Sequence, residues 1–241
     1  FPLDLTQDIL KGQGIAVDVD GFEKSMENQR EMARAAHKGS GDTATGRIWF
    51  ALKEKLGGTE FLGYDADECD AVVRAIVKDG AEVEAASAGD EVYVILDKTV
   101  FYGESGGQVG DTGVLLSTKH QALGTVCDTQ KPLDDFFVHR VKLSASLKVG
   151  DKVHAAIDVA RRTKIRSNHS ATHLLHKALR DALGAHVTQK GSLVSDDKLR
   201  FDFSHGKAVS KEEIMAIERA VNAEVARGGD VDCKVMTPDA A

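Results

Sequence analysis

The chain has 241 residues, of which 42% are hydrophobic and 29% charged, and its net charge is -7. That mixture describes a globular protein with material for one or two cores, and it argues against a general nucleic-acid coat, whose phosphate contacts rest on clustered Lys and Arg. Three widely spaced cysteines, Cys69, Cys127 and Cys233, exclude a disulfide framework and point to a reducing cytoplasm.

No apolar run approaches the roughly 18 residues of a membrane span. The chain opens at Phe1 and stops at Ala241 without a closing element, so both ends read as cuts in something longer. Residues 1–58 read as helical. Asp20 and Glu23 have capping-box spacing ahead of a polar helix running toward Gly39, and a second helix is expected from Ala44 to Leu56, ending at Gly57 and Gly58. This part has the look of a linking or docking element.

From residue 59 to 158 the signal changes to strands. Glu91–Leu96 and Thr99–Tyr102 are rich in β-branched and aromatic residues, Phe136–Val141 alternates, and Lys152–Asp158 follows. Gly103, Gly106, Gly107, Gly110 and Gly113 punctuate the middle. Short strands separated by glycine-rich turns suggest a small antiparallel barrel.

In the last part, 159–241, helices return. Ser167 is the expected N-cap of a helix that stops at Gly184. A strand over Leu199–Phe203 comes next. Ser210 and Glu213 then form a capping box for a helix ending at Gly228, with Ile214, Ile217, Val221 and Val225 on one face. Residues 230–236 could add one more strand.

The stretch His169-Ser-Ala-Thr-His173 carries the most chemistry. Residues four apart lie one above the other on a helix, so two imidazoles there can converge on one metal ion. His176 extends the same face, opposite Ala171, Leu174, Leu175, Ala178 and Ala182, so the leucine side is the expected core face and the histidines look toward water or a cleft. With Ser167 as cap, His169 and His173 would stand in the first turns, where the helix dipole favours neutral imidazole. Two histidines do not complete a zinc site, which needs at least three protein ligands. The run Arg161-Arg162-Thr163-Lys164-Ile165-Arg166 just ahead is locally basic.

Arg166–His176, then Gln189-Lys-Gly-Ser-Leu-Val194 and Leu199–His205, resemble the editing domain of the alanyl-tRNA synthetase family. Phe101–Gly113 resembles the glycine-rich segment of that family's preceding barrel, and Phe1–Thr6 the junction that follows its tRNA-recognition part. The resemblance covers essentially the whole chain in order. It implies an α+β fold: an N-terminal helical segment, a small antiparallel β-barrel, then an α/β editing domain with helices on a mostly antiparallel sheet.

It also implies hydrolysis of mischarged Ser-tRNA(Ala) and Gly-tRNA(Ala), with tRNA(Ala) and the rest of the synthetase chain as partners. The ATP-dependent aminoacylation domain lies outside this piece. One Zn2+ would be held by an HxxxH pair and a later CxxxH pair. His169 and His173 match the first; Cys233 is followed four residues on by Thr237, so the remaining ligands are expected beyond Ala241 and Cys233 is a bystander. Gln189 matches a position in the family's editing pocket, and Ser105 and Gln108 are candidates for walling it. His205 and the basic residues Arg161, Arg162, Lys164 and Arg166 are candidates for contacting the tRNA acceptor end. Two alternatives stay open: a threonyl-type or free-standing editing domain, and an RNA-binding module without turnover.

Overall fold

The computed structural model describes residues 3–36, 43–229 and 236. The chain forms two compact units, Phe1–Thr45 and Gly46–Ala241. In the first, helix α1 spans Leu3–Lys11 and α2 spans Val19–Ala36. The Asp18 carboxylate accepts from the Gly21 amide at 2.9 Å, so Asp18 takes the capping role expected of Asp20. Asp20 stands instead in the first turn, where a carboxylate suits the helix dipole.

Helix α3, Thr43–Leu56, leads into the strands of the second unit. In chain order these are β1 (Glu60–Phe61), β2 (Glu68–Lys78), β3 (Ala81–Val83), β4 (Ala85–Ala86), β5 (Glu91–Leu96) and β6 (Lys98–Thr99). After a glycine-rich segment come β7 (Gly113–Ser117), β8 (Ala122–Leu133), β9 (Phe136–Leu143), β10 (Leu147–Lys148) and β11 (Lys152–Ile157). The pairing order β11-β7-β8-β9-β5-β2 returns from β2 to β11, with Lys152 opposite Val72 and Ala156 opposite Glu68. Six antiparallel strands therefore close into a barrel, the small antiparallel barrel that alternation and glycine turns indicate.

The strand alternation packs the barrel interior. Val73, Val92, Val94, Leu96, Leu115, Val126, Val141 and Val153 are each 1% exposed or less. On the outside, Ala75, Val77, Ile95, Phe136 and Val138 meet Trp49 and Leu52 of α3. Strands β2, β5 and β9 are thus covered on both faces, which is why their sequences run nearly continuously apolar. The strand expected over Thr99–Tyr102 stops at Thr99. Beyond it, side chains satisfy the backbone: Arg162 donates to the Val100 carbonyl and Asp111 accepts from the Tyr102 amide, so no ladder partner is needed.

The rest of the second unit is α4 (Val159–Leu183), β12 (Gln189–Val194), β13 (Leu199–Phe203) and α5 (Lys211–Arg227). Strands β12 and β13 form an antiparallel hairpin beneath the two helices. Their shared core is Ala178, Leu179, Val187 and Ile217, with Leu175, Leu183, Phe201 and Phe203 around it. The Ser210 and Glu213 capping box is formed as its spacing implies. The apolar face expected on α5 is covered only at its middle: Ile217 is buried, whereas Ile214 is 52% and Val225 60% exposed. The α5 rib that meets this core is Ile217 and Val221, and the two ends of the stripe extend past it. Residues 230–235, expected as a strand and including Cys233, lie outside the described residues. Among the described residues no helix is long and apolar enough to cross a membrane.

One buried histidine gives the barrel a pH dependence. His139 is fully buried; its Nδ1 donates to the Val94 carbonyl at 2.9 Å and its Nε2 accepts from the Thr99 hydroxyl at 2.8 Å. Burial holds it neutral and moves its pKa from 6.5 down to about 4. The unfolded chain takes up that proton near pH 6.5 while the folded chain does not. The contribution is therefore complete above pH 6.5 and is lost as pH falls toward 4, about 3 kcal/mol in all. Urea titrations of the unsubstituted chain and His139→Gln across this range should show a shallower acid slope in the variant; parallel slopes would contradict the assignment.

Candidate functional site

The site is built on α4. Its N-cap is Asp158, whose carboxylate accepts from the Arg161 amide at 2.9 Å, and its C-cap is Gly184, as the sequence indicates. Ser167, the expected N-cap, is instead inside the helix and donates back to the Thr163 carbonyl at 3.1 Å. The helix runs through because strand β11 ends at Ile157 and Asp158 caps at once, with its amide donating to the Thr112 carbonyl at 2.8 Å. His169 and His173 accordingly stand in the third and fourth turns, too far from the N-terminus for the dipole to act on them.

Ahead of His169, the basic run fastens the helix to the barrel. Arg162 donates through Nε to both oxygens of Asp111, at 3.0 and 2.8 Å, and through a terminal nitrogen to Oδ2. Its remaining donors take the Gly63 and Val100 carbonyls, each at 2.9 Å. The side chains are 11% and 2% exposed, so the guanidinium and carboxylate satisfy each other out of water. Arg161 is likewise engaged, with the Gly110 carbonyl at 2.8 Å and Asp196 at 3.3 Å. Of the four basic residues proposed to meet phosphate, these two are structural fasteners; Lys164 and Arg166 are exposed.

The fastening brings the glycine-rich segment against the histidines. Gly107, at φ +86°, lies so close to β12 that a Cβ would stand 2.4 Å from the Ser192 carbonyl oxygen, and only glycine fits. The Val194 amide donates to the Gly107 carbonyl at 2.7 Å, and the Val109 amide to that of Val194 at 3.0 Å. Between them Gln108, 7% exposed, reaches His169: its Oε1 is 2.7 Å from Nδ1. A carbonyl oxygen only accepts, so Nδ1 carries the proton and Nε2 keeps its lone pair. Partial burial, then the neighbouring His173, push the His169 pKa down, which keeps this neutral form at physiological pH. The His173 ring stacks on that of His169 at 5.2 Å between centroids and 18° between planes.

The other site residues are spread around this pair. His176 shares the histidine face but rests on Phe201, centroids 5.1 Å apart, with Nε2 buried and unpartnered among the described residues. Seven residues raise the helix about 10 Å, which carries that face from the barrel to the hairpin. Gln189 is exposed at the start of β12, opposite Phe203, and no hydrogen bond joins it to His169 or His173 among the described residues. Ser105 is exposed on the glycine-rich segment, its backbone paired with Gln108. His205 is half-buried, stacked on His186 at 5.1 Å and hydrogen-bonded to it at 2.9 Å. No group of three or more His, Cys, Asp or Glu that could hold a metal occurs among the described residues. His169 and His173 offer two imidazoles side by side, with the His169 tautomer set by Gln108.

A closed barrel joined to a long histidine-bearing helix finds its counterpart in known sequences. The chain belongs to the family of class II (A) tRNA synthetases, whose match covers residues 1–161 and ends as α4 begins. Beyond that point the relatives carry the likeness. The chain is 54% identical over 246 residues to the alanine–tRNA ligase of Paramagnetospirillum magneticum and 53% identical over 241 residues to that of a Caulobacter species, in each case across its full length. It is also 54% identical to the alanine–tRNA ligase of Sphingopyxis alaskensis over 242 residues. The chain spans 28% of the first of these relatives and 27% of the others.

Removing one partner of the Asp111–Arg162 pair leaves a buried charge uncompensated. Arg162→Met or Asp111→Val should each cost about 3–5 kcal/mol, measured by urea unfolding. Asp111→Val with Arg162→Met together should cost clearly less than the two singles added; simple additivity would show that the pair is not coupled.

Proposed function

We propose that this chain is the editing region of an alanyl-tRNA synthetase, hydrolysing the ester of Ser-tRNA(Ala) and Gly-tRNA(Ala) in the cytoplasm. The observation that carries the reading is the Gln108–His169 hydrogen bond, which leaves a neutral imidazole with a free Nε2 lone pair beside a second stacked imidazole. Similarity to alanine–tRNA ligases over the whole chain supports the substrate class. Charging alanine onto tRNA with ATP is assigned to other parts of a longer synthetase chain.

The need for such a site is physical. A pocket shaped for one methyl group cannot exclude the smaller glycine, and serine adds only a hydroxyl. A second site that hydrogen-bonds the hydroxyl favours serine over alanine, because alanine would leave its polar groups unpaired; this contact selects the seryl ester and not the glycyl one. Gln189 is the proposed reader of that hydroxyl. Gln108 acts through His169 and is a positioning residue, and Ser105 borders the same segment. Lys164 and Arg166, free of the fasteners that hold Arg161 and Arg162, are proposed to meet the acceptor end through its phosphates, joined by His205 just past the end of β13.

Zn2+ held by His169 and His173 would supply a Lewis acid that positions the ester or activates water. The residues' own part is to present Nε2 unprotonated, to keep His169 partly out of water, and to hold the ring by Gln108 so that its lone pair does not swing away.

Deacylation of Ser-tRNA(Ala) and Ala-tRNA(Ala), measured with this chain and with a longer synthetase, should be faster for the seryl ester. Equal rates would sink the assignment. His169→Ala with His173→Ala should abolish bound zinc in elemental analysis of the longer protein, and unchanged zinc would refute the ligands. Gln108→Leu, which keeps the side-chain volume but loses the acceptor, should weaken Co2+ binding about 10- to 100-fold without lowering the thermal midpoint appreciably; unaltered affinity would remove its positioning role.

A further inference from the structure

The glycine-rich segment has two faces. Gln108 points at α4, whereas Tyr102 and Ser105 border a separate cavity of about 320 Å³ on the barrel wall, shared with Phe61, Tyr64, Lys131 and Phe137. Its floor is aromatic. Phe61 and Phe137 stack with centroids 5.2 Å apart and planes 5° apart, and Phe137 is 5% exposed. Tyr64 and Tyr102 meet Phe61 edge-on at 5.0 and 6.3 Å. Lys131 lies 5.7 Å from the Phe137 centroid. A Cβ on Gly103 would stand 2.8 Å from that of Lys131, so the missing side chain lets the two walls approach.

Packing does not account for Tyr64. It is 84% exposed, an aromatic ring held at the mouth of the cavity by one edge contact. The charges nearby cancel: Asp135 pairs with Lys53, and Asp134 with Lys131 at 3.3 Å. A bare phosphate chain would meet two carboxylates here, whereas a flat, uncharged heteroaromatic ring would meet the exposed Tyr64 ring and the aromatic lining. Base–aromatic stacking of this kind is the usual means of holding an unpaired nucleotide.

We propose that this cavity takes one unpaired nucleobase of the RNA strand whose terminal ester reaches His169 and His173. The proposal rests on the hydrolytic reading above and deepens it. Gln108 is the sixth residue after Tyr102, so the cavity and the histidines are joined by a segment that spans at most about 20 Å. Base and ester would then be held on opposite sides of one loop, and the loop that reads the base also sets the His169 tautomer.

The test uses this chain with 5′-labelled single-stranded tetranucleotides of adenosine and of uridine, followed by fluorescence anisotropy, with inorganic tripolyphosphate as competitor. A 4-thiouridine tetranucleotide locates the contact by photocrosslinking. Tyr64→Ala should weaken binding about 10-fold, Tyr64→Trp should retain it, and the crosslink should fall on residues 61–64 or 102–105. Because Tyr64 is exposed, its loss should leave the unfolding midpoint in place; Phe61→Leu, read against its own unfolding midpoint, provides the second variant. Absence of binding, a Tyr64→Ala affinity equal to that of the unsubstituted chain, full displacement by tripolyphosphate or a crosslink elsewhere would each overturn the proposal. Tyr64-dependent binding by this chain, with no ester hydrolysis by the longer synthetase, would support the base site and reject the catalytic reading; hydrolysis by the longer synthetase without any dependence on Tyr64 would do the reverse.

Discussion

The buried pair of Asp111 and Arg162 is the interaction on which the rest of the second unit depends. Asp111 ends the glycine-rich segment of the barrel, and Arg162 lies in the first turn of α4. Five hydrogen bonds from the three nitrogens of one guanidinium reach a carboxylate and two carbonyls, from Gly63 and Val100, so separate stretches of chain share one anchor. The same carboxylate holds the Tyr102 amide. A pair of this kind adds little net stability over a well-packed apolar substitute. What it fixes is position: it sets the azimuth of α4, and with it the side on which His169 meets Gln108.

That dependence explains why the site has two sources. The helix provides the imidazoles at four-residue spacing, but helix geometry leaves the ring rotation and tautomer of His169 open. The barrel provides the missing constraint through Gln108, and Gly107 makes the approach possible by having no side chain against Ser192. His139 in the barrel core shows the same device in a different setting. Both rings donate from Nδ1 to an oxygen and both are pushed toward neutrality by loss of water. At His139 Nε2 is closed by the Thr99 hydroxyl, so that histidine is structural.

Much of the fold was legible in the sequence because it rests on local rules. The Ser210 and Glu213 box, the Gly184 and Gly57 helix ends and the apolar runs of β5 and β9 depend on neighbours within a few residues. Where a local rule had competitors, it failed: Asp18 and Asp158 cap where Asp20 and Ser167 were expected, since any short polar side chain can accept from a free amide and the flanking chain selects which one does. The stripe on α5 was readable as apolar, but how much of it is covered depends on α4. The histidine pair was legible from spacing alone. The link from Gln108 to His169 crosses 61 residues and has no sequence signature. Nor does the division of the basic run, in which Arg161 and Arg162 turn inward while Lys164 and Arg166 stay in water; that depends on which side of α4 faces the barrel.

The central claim is that the barrel fixes the protonation pattern of the histidine helix. Long-range 1H–15N correlation spectra near neutral pH, with His169 assigned by comparison with His169→Gln, test it most directly. The account predicts a neutral ring with the proton on Nδ1 and a bare Nε2, and loss of that preference in Gln108→Leu. A proton on Nε2, or a spectrum unchanged by the Gln108 substitution, would contradict it.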